Sequence, residues 1–260
     1  MNGITLSDGI ELVDSGGVIE IHLDRADKKN ALTATMYRTM SATLAEASSR
    51  ADVDVVLIAG KGDAFCAGND IKDFLSGPER GTEAFDFIRA IAMFDKPIVA
   101  AVQGMAVGVG TTMLFHCDLV YAAPNARFVM PFVNLGIVPE AASSLLAPAT
   151  MGHAKAAAML LLGEPMDAEG ADKAGMVTAI VPADQLLDHA RAKAIALTTK
   201  PPQALAHTRR LLKGDPAVIA ARIEEEGRLF RETMQSAEAR EAFTAFFEKR
   251  APVFRRAGAN

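Results

Sequence analysis

The sequence predicts an α/β chain, and three observations carry that prediction. Short β-branched runs alternate with runs of apolar residues at helical spacing. At 260 residues, 50% of them hydrophobic, the chain can bury a sizeable core, as one large domain with an appendage or as two small ones. Its two cysteines, Cys66 and Cys117, lie far apart without CxxC spacing, so a disulfide framework is not expected and a reducing compartment is.

The elements follow in order. Gly17 to Leu23 alternates, with Ile19, Ile21 and Leu23 on one side and Glu20 and His22 on the other, which predicts a half-buried strand. Thr33 to Ser49 sets Met36, Met40, Leu44 and Ala47 at helical spacing behind Thr33 as N-cap. Val53 to Ala59 is a strand closed by Gly60. Glu83 to Phe94 reads as a helix stopped before Pro97, and Ile98 to Val102 as a buried strand. Gly110 to Cys117 is a short helix, Leu119 to Ala123 a strand, and Val177 to Val181 the last clear strand.

Beyond Lys200-Pro201-Pro202 the reading is all helical. Gln203 to Lys213 ends at Gly214, and Asp215 caps a helix with Pro216 in its first position. Ile219, Ile223, Phe230 and Met234 form that helix's apolar stripe, opposite Glu224 to Glu226. Ser236 caps a third helix carrying Phe243, Phe246 and Phe247. We read residues 1–200 as the core holding the candidate site and 201–260 as a helical C-terminal region. Its aromatic face packs on that core or on another subunit.

Several function classes lose their support. With 27 Lys+Arg against 32 Asp+Glu the formal charge is −5, and no basic block marks a nucleic-acid or anionic-membrane partner. Met1 to Ser15 lacks a signal pattern, and the uncharged run Pro97 to Cys117 holds glycines that would interrupt a spanning helix. No membrane partner and a cytoplasmic location are expected. Gly108-Val109-Gly110-Thr111-Thr112 runs on into Met113 and lacks the third glycine of a dinucleotide fingerprint. Phosphate-loop and GxSxG motifs are absent. The five histidines show no ligand spacing, so no metal site is expected, and His116 reads as a hydrogen-bonded structural residue.

Three features could carry chemistry. Ala64 to Asp70 and Gly104 to Gly110 are glycine-rich segments that each follow a hydrophobic strand. Such turns serve either as tight packing points of helix on sheet or, facing one another, as exposed N–H donors for an oxyanion. Glu140, the sole formally charged residue between Phe128 and Ala154, follows Pro139 at an apparent helix start. It is either a first-turn glutamate favoured by the helix dipole or a carboxylate in an apolar pocket. Asp118, isolated in the same way, reads as structural.

At these residues the chain resembles the enoyl-CoA hydratase/isomerase (crotonase) superfamily over nearly its full length. The matching segments are Ile21 to Arg25 with Lys29 to Leu32, then Ala64 to Phe74, Pro97 to Gly110, Cys117 to Ala122 and Ala242 to Arg250. The resemblance implies a spiral of β-β-α turns with a helical C-terminal region that trimerises, often as a dimer of trimers. It implies an acyl-CoA thioester as substrate and no separate cofactor. The N–H groups of Asn69, after Gly68, and of Val109, after Gly108, would form the oxyanion hole. Ala67, Gly68, Asn69, Asp70 and Ile71 would line the CoA path, with Lys28 or Lys29 near the phosphates.

Hydratases of the superfamily use two glutamates, at positions that align here with Thr112 and Phe132. Met130-Pro131-Phe132 through Leu135-Gly136 to Pro139-Glu140 instead is similar to the Δ3,Δ2-enoyl-CoA isomerase branch, which uses a glutamate at the place of Glu140 as its single base. The resemblance therefore favours Glu140 as a catalytic base that moves a 3-enoyl double bond to the 2-position, with Thr112 and Phe132 as a dry wall. A hydratase, another crotonase-type reaction and a non-catalytic acyl-CoA-binding module are the alternatives.

Overall fold

The computed structural model describes residues 3–74 and 81–254. The chain opens with an antiparallel meander of β1 (Gly3–Ser7), β2 (Ile10–Ser15) and β3 (Val18–Leu23). Helix α1 (Ala34–Ser49) follows, its N-cap Thr33 accepting from Met36 N, and then β4 (Val55–Gly60). A short α2 (Ile71–Phe74) and α3 (Thr82–Met93) precede β5 (Ile98–Val102). Next come β6 (Met105–Val107), α4 (Val109–Thr112), β7 (Leu119–Ala122) and β8 (Arg127–Val129). The remainder is α5 (Ser143–Met151), α6 (His153–Ala157), β9 (Met166–Asp167), α7 (Ala168–Lys173), β10 (Ala179–Ile180) and α8 (Leu186–Thr198). Three helices close it: α9 (Pro202–Lys213), α10 (Pro216–Met234) and α11 (Ala237–Glu248).

Seven strands form one sheet in the order β1-β2-β3-β4-β5-β7-β10, parallel from β3 onward, and β6-β8-β9 form a second, smaller sheet. The chain leaves the large sheet at β5, adds β6 to the small sheet and enters α4. It then repeats the pattern with β7, β8 and α5. This is a spiral of β-β-α turns, in an α/β chain, as expected. One face of the large sheet packs on α1 and α3 around Ile21, Ile58, Phe65 and Phe87. The other is covered by α8, whose Ala190 and Ala194 meet Leu57, Val99 and Ala101.

That second layer corrects the reading of β3 as half-buried. Glu20 is 9% exposed and His22 3%, because α8 lies over them. Glu20 accepts from His22 Nε2 at 2.6 Å and from Arg191 Nε at 2.8 Å, and these donors hold its carboxyl down at about 2 against the opposing effect of burial. The predicted helix Gly110 to Cys117 is the single turn α4 followed by a 3-10 turn, Met113–His116. The strand expected over Val177 to Val181 shrinks to the two residues of β10.

The C-terminal helices lie on the core. Arg209 of α9 donates to Asp118 Oδ2 at 2.8 Å and to the Phe94 carbonyl at 2.7 Å, while Asp118 also accepts from Ile98 N at 2.8 Å, so Asp118 is a structural hydrogen-bonding residue. Phe230 and Phe243 join the main core, whereas Phe246 and Phe247 stay half exposed. Among the described residues, no helix is long and apolar enough to cross a membrane.

Candidate active site

The two glycine-rich turns meet. Cys66 N donates to Met105 O at 3.0 Å and Val107 N to Cys66 O at 2.9 Å, so a short backbone ladder joins the turn after β4 to the turn after β5. Two glycines permit that approach. A Cβ on Gly68, whose φ is +89°, would sit 2.9 Å from Val107 O, and one on Gly110 would sit 2.6 Å from Cys66 O. The packing reading of these turns therefore holds, and the same close approach brings their backbone amides near one another.

In each turn one amide at the cavity stands outside this pairing. Leu32 N donates to Gly68 O at 2.8 Å and Asp70 N to Leu32 O at 2.9 Å. In that parallel pairing the Asn69 N–H points away from Leu32, toward the cavity. Val109 is the first residue of α4, where an N–H has no acceptor within the helix. The first turn is anchored from three sides. Tyr37 of α1 donates its hydroxyl to Asn69 Oδ1, Arg25 pairs with Asp70 at 2.7 Å, and the buried Asn30 donates to Ala64 O at 2.8 Å.

Glu140 corrects an expectation of the sequence. It does not begin a helix: Ala141 and Ala142 follow it with φ of +59° and +54°, and α5 starts only at Ser143. The carboxyl is thus not a first-turn dipole partner but turns inward, 5% exposed, and Oε1 accepts the Thr112 hydroxyl. Oε2 is buried without a hydrogen-bond partner. Burial pushes the carboxyl up to about 8; the Thr112 hydrogen bond opposes this and the neighbouring Glu226 carboxylate adds to it. Thr112 is accordingly more than a dry wall, because it orients the acid.

Asn69, Val109 and Glu140 all line one cavity of about 410 Å³, together with Ala67, Gly68, Ile71, Gly108 and Phe132. The rest of its wall is mostly apolar and includes Phe230, Phe243 and Phe246. Three of the expected binding residues do not line it. Lys28 and Lys29 are exposed on the surface, although Ala67 N donates to Lys29 O at 2.9 Å, and Asp70 is engaged by Arg25.

Sequence reasoning missed Tyr37, the Thr112–Glu140 bond, and Arg250 at the cavity rim. Tyr37 carried a usable signal, since a tyrosine beside the apolar stripe of α1 needs a partner for its hydroxyl once buried. Nearby, burial moves His116 down to about 4, so the neutral ring donates Nε2–H to Ala141 O at 2.9 Å, in keeping with its structural reading. Cys66, pushed up to about 12 by burial, stays a thiol between the turns.

The chain is similar to known proteins throughout its length. The enoyl-CoA delta isomerase 2 of Rattus norvegicus is 34% identical over 253 residues, covering 94% of this chain; the chain spans 64% of that protein's length. A crystal structure of an enoyl-CoA hydratase/isomerase from Pseudoalteromonas atlantica superposes with a TM-score of 0.92 at 39% identity, covering 95% of this chain and all of that one. An enoyl-CoA hydratase from Mycobacterium avium subsp. paratuberculosis gives a TM-score of 0.87 at 31% identity, covering 96% of this chain and 99% of that one. With the sequence model of enoyl-CoA hydratase/isomerase matching residues 14–257, the chain belongs to that enzyme family.

Proposed function

We propose that the enzyme is a Δ3,Δ2-enoyl-CoA isomerase that works by a single-carboxylate 1,3-proton transfer. One observation carries the reading. Among the described residues that line the cavity, Glu140 is the sole carboxylate, and positions 112 and 132 hold threonine and phenylalanine. Water addition by a glutamate pair lacks its second acid there.

In this mechanism the thioester oxygen of a 3-enoyl-CoA accepts from the Asn69 and Val109 N–H groups. Glu140 takes a proton from the α-carbon, and the electron pair delocalises into a dienolate whose charge rests on those two donors. The neutral acid then returns the proton to the γ-carbon, and the double bond ends at the 2-position. Donor and acceptor carbons lie two bonds apart on one face, so one carboxyl serves both. The transfer is redox-neutral, and CoA enters as part of the substrate rather than as a cofactor. Lys29, whose carbonyl accepts from Ala67 N, and its neighbour Lys28 are the proposed phosphate contacts. A homotrimer or dimer of trimers in the cytoplasm completes the reading, with the exposed Phe246, Phe247, Val253 and Phe254 as apolar surface for it to cover.

The test is a panel of 2-enoyl- and 3-enoyl-CoAs, with products identified by mass and NMR. Conversion of 3-hexenoyl-CoA to the 2-enoyl ester without mass change supports the proposal. Rapid hydration of crotonyl-CoA, or binding without turnover, overturns it.

The pH profile follows from the environment of the base. Glu140 must be ionised to act, and its carboxyl titrates near 8 in the folded protein. The expected kcat/KM therefore climbs about tenfold per pH unit toward pH 8 and levels off above it. A profile flat from pH 5 to 9 rules out Glu140 as the base.

A further inference from the structure

We infer that Glu226 of α10 is a positioning residue for Glu140, gripping the peptide that follows it. This rests on the reading of Glu140 as the base. The sequence placed Glu224 to Glu226 together on the face opposite the apolar stripe. The structure separates them: Glu224 and Glu225 are exposed, whereas Glu226 is 5% exposed. Helical spacing explains the difference, since Glu226 falls three residues after Ile223 and four before Phe230, on the buried face.

Both Glu226 oxygens point at the start of α5. Oε2 accepts from Ala142 N at 2.6 Å and Oε1 from Ser144 N at 2.9 Å. Ala142 occupies the N-cap position and brings no side-chain cap, so a carboxylate from another helix satisfies amides that the local sequence leaves open. Arg222, one turn earlier on α10, donates to Ser144 Oγ at 3.1 Å.

The Ala141–Ala142 peptide is held at both ends. Its carbonyl accepts from His116 Nε2 at 2.9 Å, and its N–H donates to Glu226. The residues on either side of this peptide are left-handed alanines, a conformation that a residue with a Cβ keeps only where its surroundings enforce it. Released from Glu226, that peptide keeps only the His116 bond, and Glu140, one residue upstream, loses one of the restraints on its aim at the cavity. Because α10 supplies the grip, the C-terminal helices act on the chemistry as well as on the core.

The buried charge has a second effect. It disfavours ionisation of Glu140, in the same direction as burial. The other titratable or charged groups around Glu140 are Tyr37 of α1, His116 after α4, Arg222 of α10 and Arg250 beyond α11. The segment carrying Phe132 and Ile137 brings none.

Two substitutions separate grip from charge. Glu226→Ala removes both and is expected to lower kcat about 10- to 100-fold while leaving the Kd for a saturated acyl-CoA unchanged. Glu226→Gln keeps an acceptor oxygen without the charge. It is expected to restore most of kcat and to move the acid limb of kcat/KM to lower pH. A 13C NMR titration of the Glu140 carboxyl in the free Glu226→Gln protein is expected to move the same way, and it reads the coupling without turnover. Wild-type kcat and an unmoved titration in both variants, with only a lowered Tm, would make Glu226 purely structural. That result leaves the base reading standing, whereas full turnover by Glu140→Gln removes the base and the positioning role together.

Discussion

Glu140→Gln is expected to lower turnover of 3-hexenoyl-CoA by about ten-thousand-fold, the upper end of what a general acid–base group supplies, because the same carboxyl both takes and returns the proton. The amide is isosteric and its oxygen can still accept the Thr112 hydroxyl. The cavity keeps its shape, so calorimetry should find the Kd for a saturated acyl-CoA within a few-fold of wild type. The same variant should gain stability, with a definite pH dependence. The folded-state carboxyl titrates near 8, above its ordinary value of 4.5. Its stabilising contribution is full below pH 4.5 and is lost as pH rises through 8, when the folded protein must hold a buried charge. Glutamine never ionises. The Tm difference between variant and wild type should therefore be small at pH 5 and widen to several degrees at pH 9, where each kcal/mol corresponds to ~2–4 °C. Near-full turnover, or a Tm gap that does not grow with pH, contradicts the assignment.

The second large effect is expected from Val109→Pro, which deletes an N–H and little else. Position 109 opens α4, where proline is tolerated because the first N–H of a helix has no internal acceptor. The preceding residue is Gly108 at φ 56° and ψ −121°, the mirror image of a polyproline conformation, which glycine adopts freely before proline. If the Val109 amide holds the developing enolate, its loss costs about 100- to 1000-fold in kcat. Val109→Ala, which keeps the amide, should stay within a few-fold of wild type. Equal activity of the alanine and proline variants means that no oxyanion contact is made there.

How far the sequence foretold this molecule depended on the range of the interactions involved. Local signals were readable. Thr33, Asp215 and Ser236 each cap the helix they were read to cap, accepting from Met36 N, Ala217 N and Ala239 N. The alternation in β3 and the apolar runs of β4 and β5 also announced themselves. Weak local signals did not. Helix α8 was unread because the centre of the face it buries is small, Ala190 and Ala194 following Leu186, and gives no continuous stripe of large residues. In β2 only Ile10 is fully buried, so its pattern is faint.

The site residues were legible mostly through family motifs, since what brings them together is tertiary. Gly68 and Gly110 lie 42 positions apart, and nothing along the chain says that their turns touch. The left-handed pair Ala141–Ala142 mimics a helix start in sequence, and the contacts that enforce it, from His116 and Glu226, come from distant segments. The partners of Tyr37, Thr112 and Glu226 were unreadable for that reason.

The ladder between Cys66 and the strand at Met105 to Val107 has an evolutionary consequence. Main-chain bonds set the distance between the two cavity amides, so point mutation at flanking positions other than Gly68 and Gly110 leaves that distance almost untouched. Divergence toward new acyl groups is then channelled into the aromatic wall that Phe230, Phe243 and Phe246 contribute. Descendants of such a scaffold can vary those three wall positions and change the shape of the cavity, while Glu226 of the same helices and the two cavity amides stay in place.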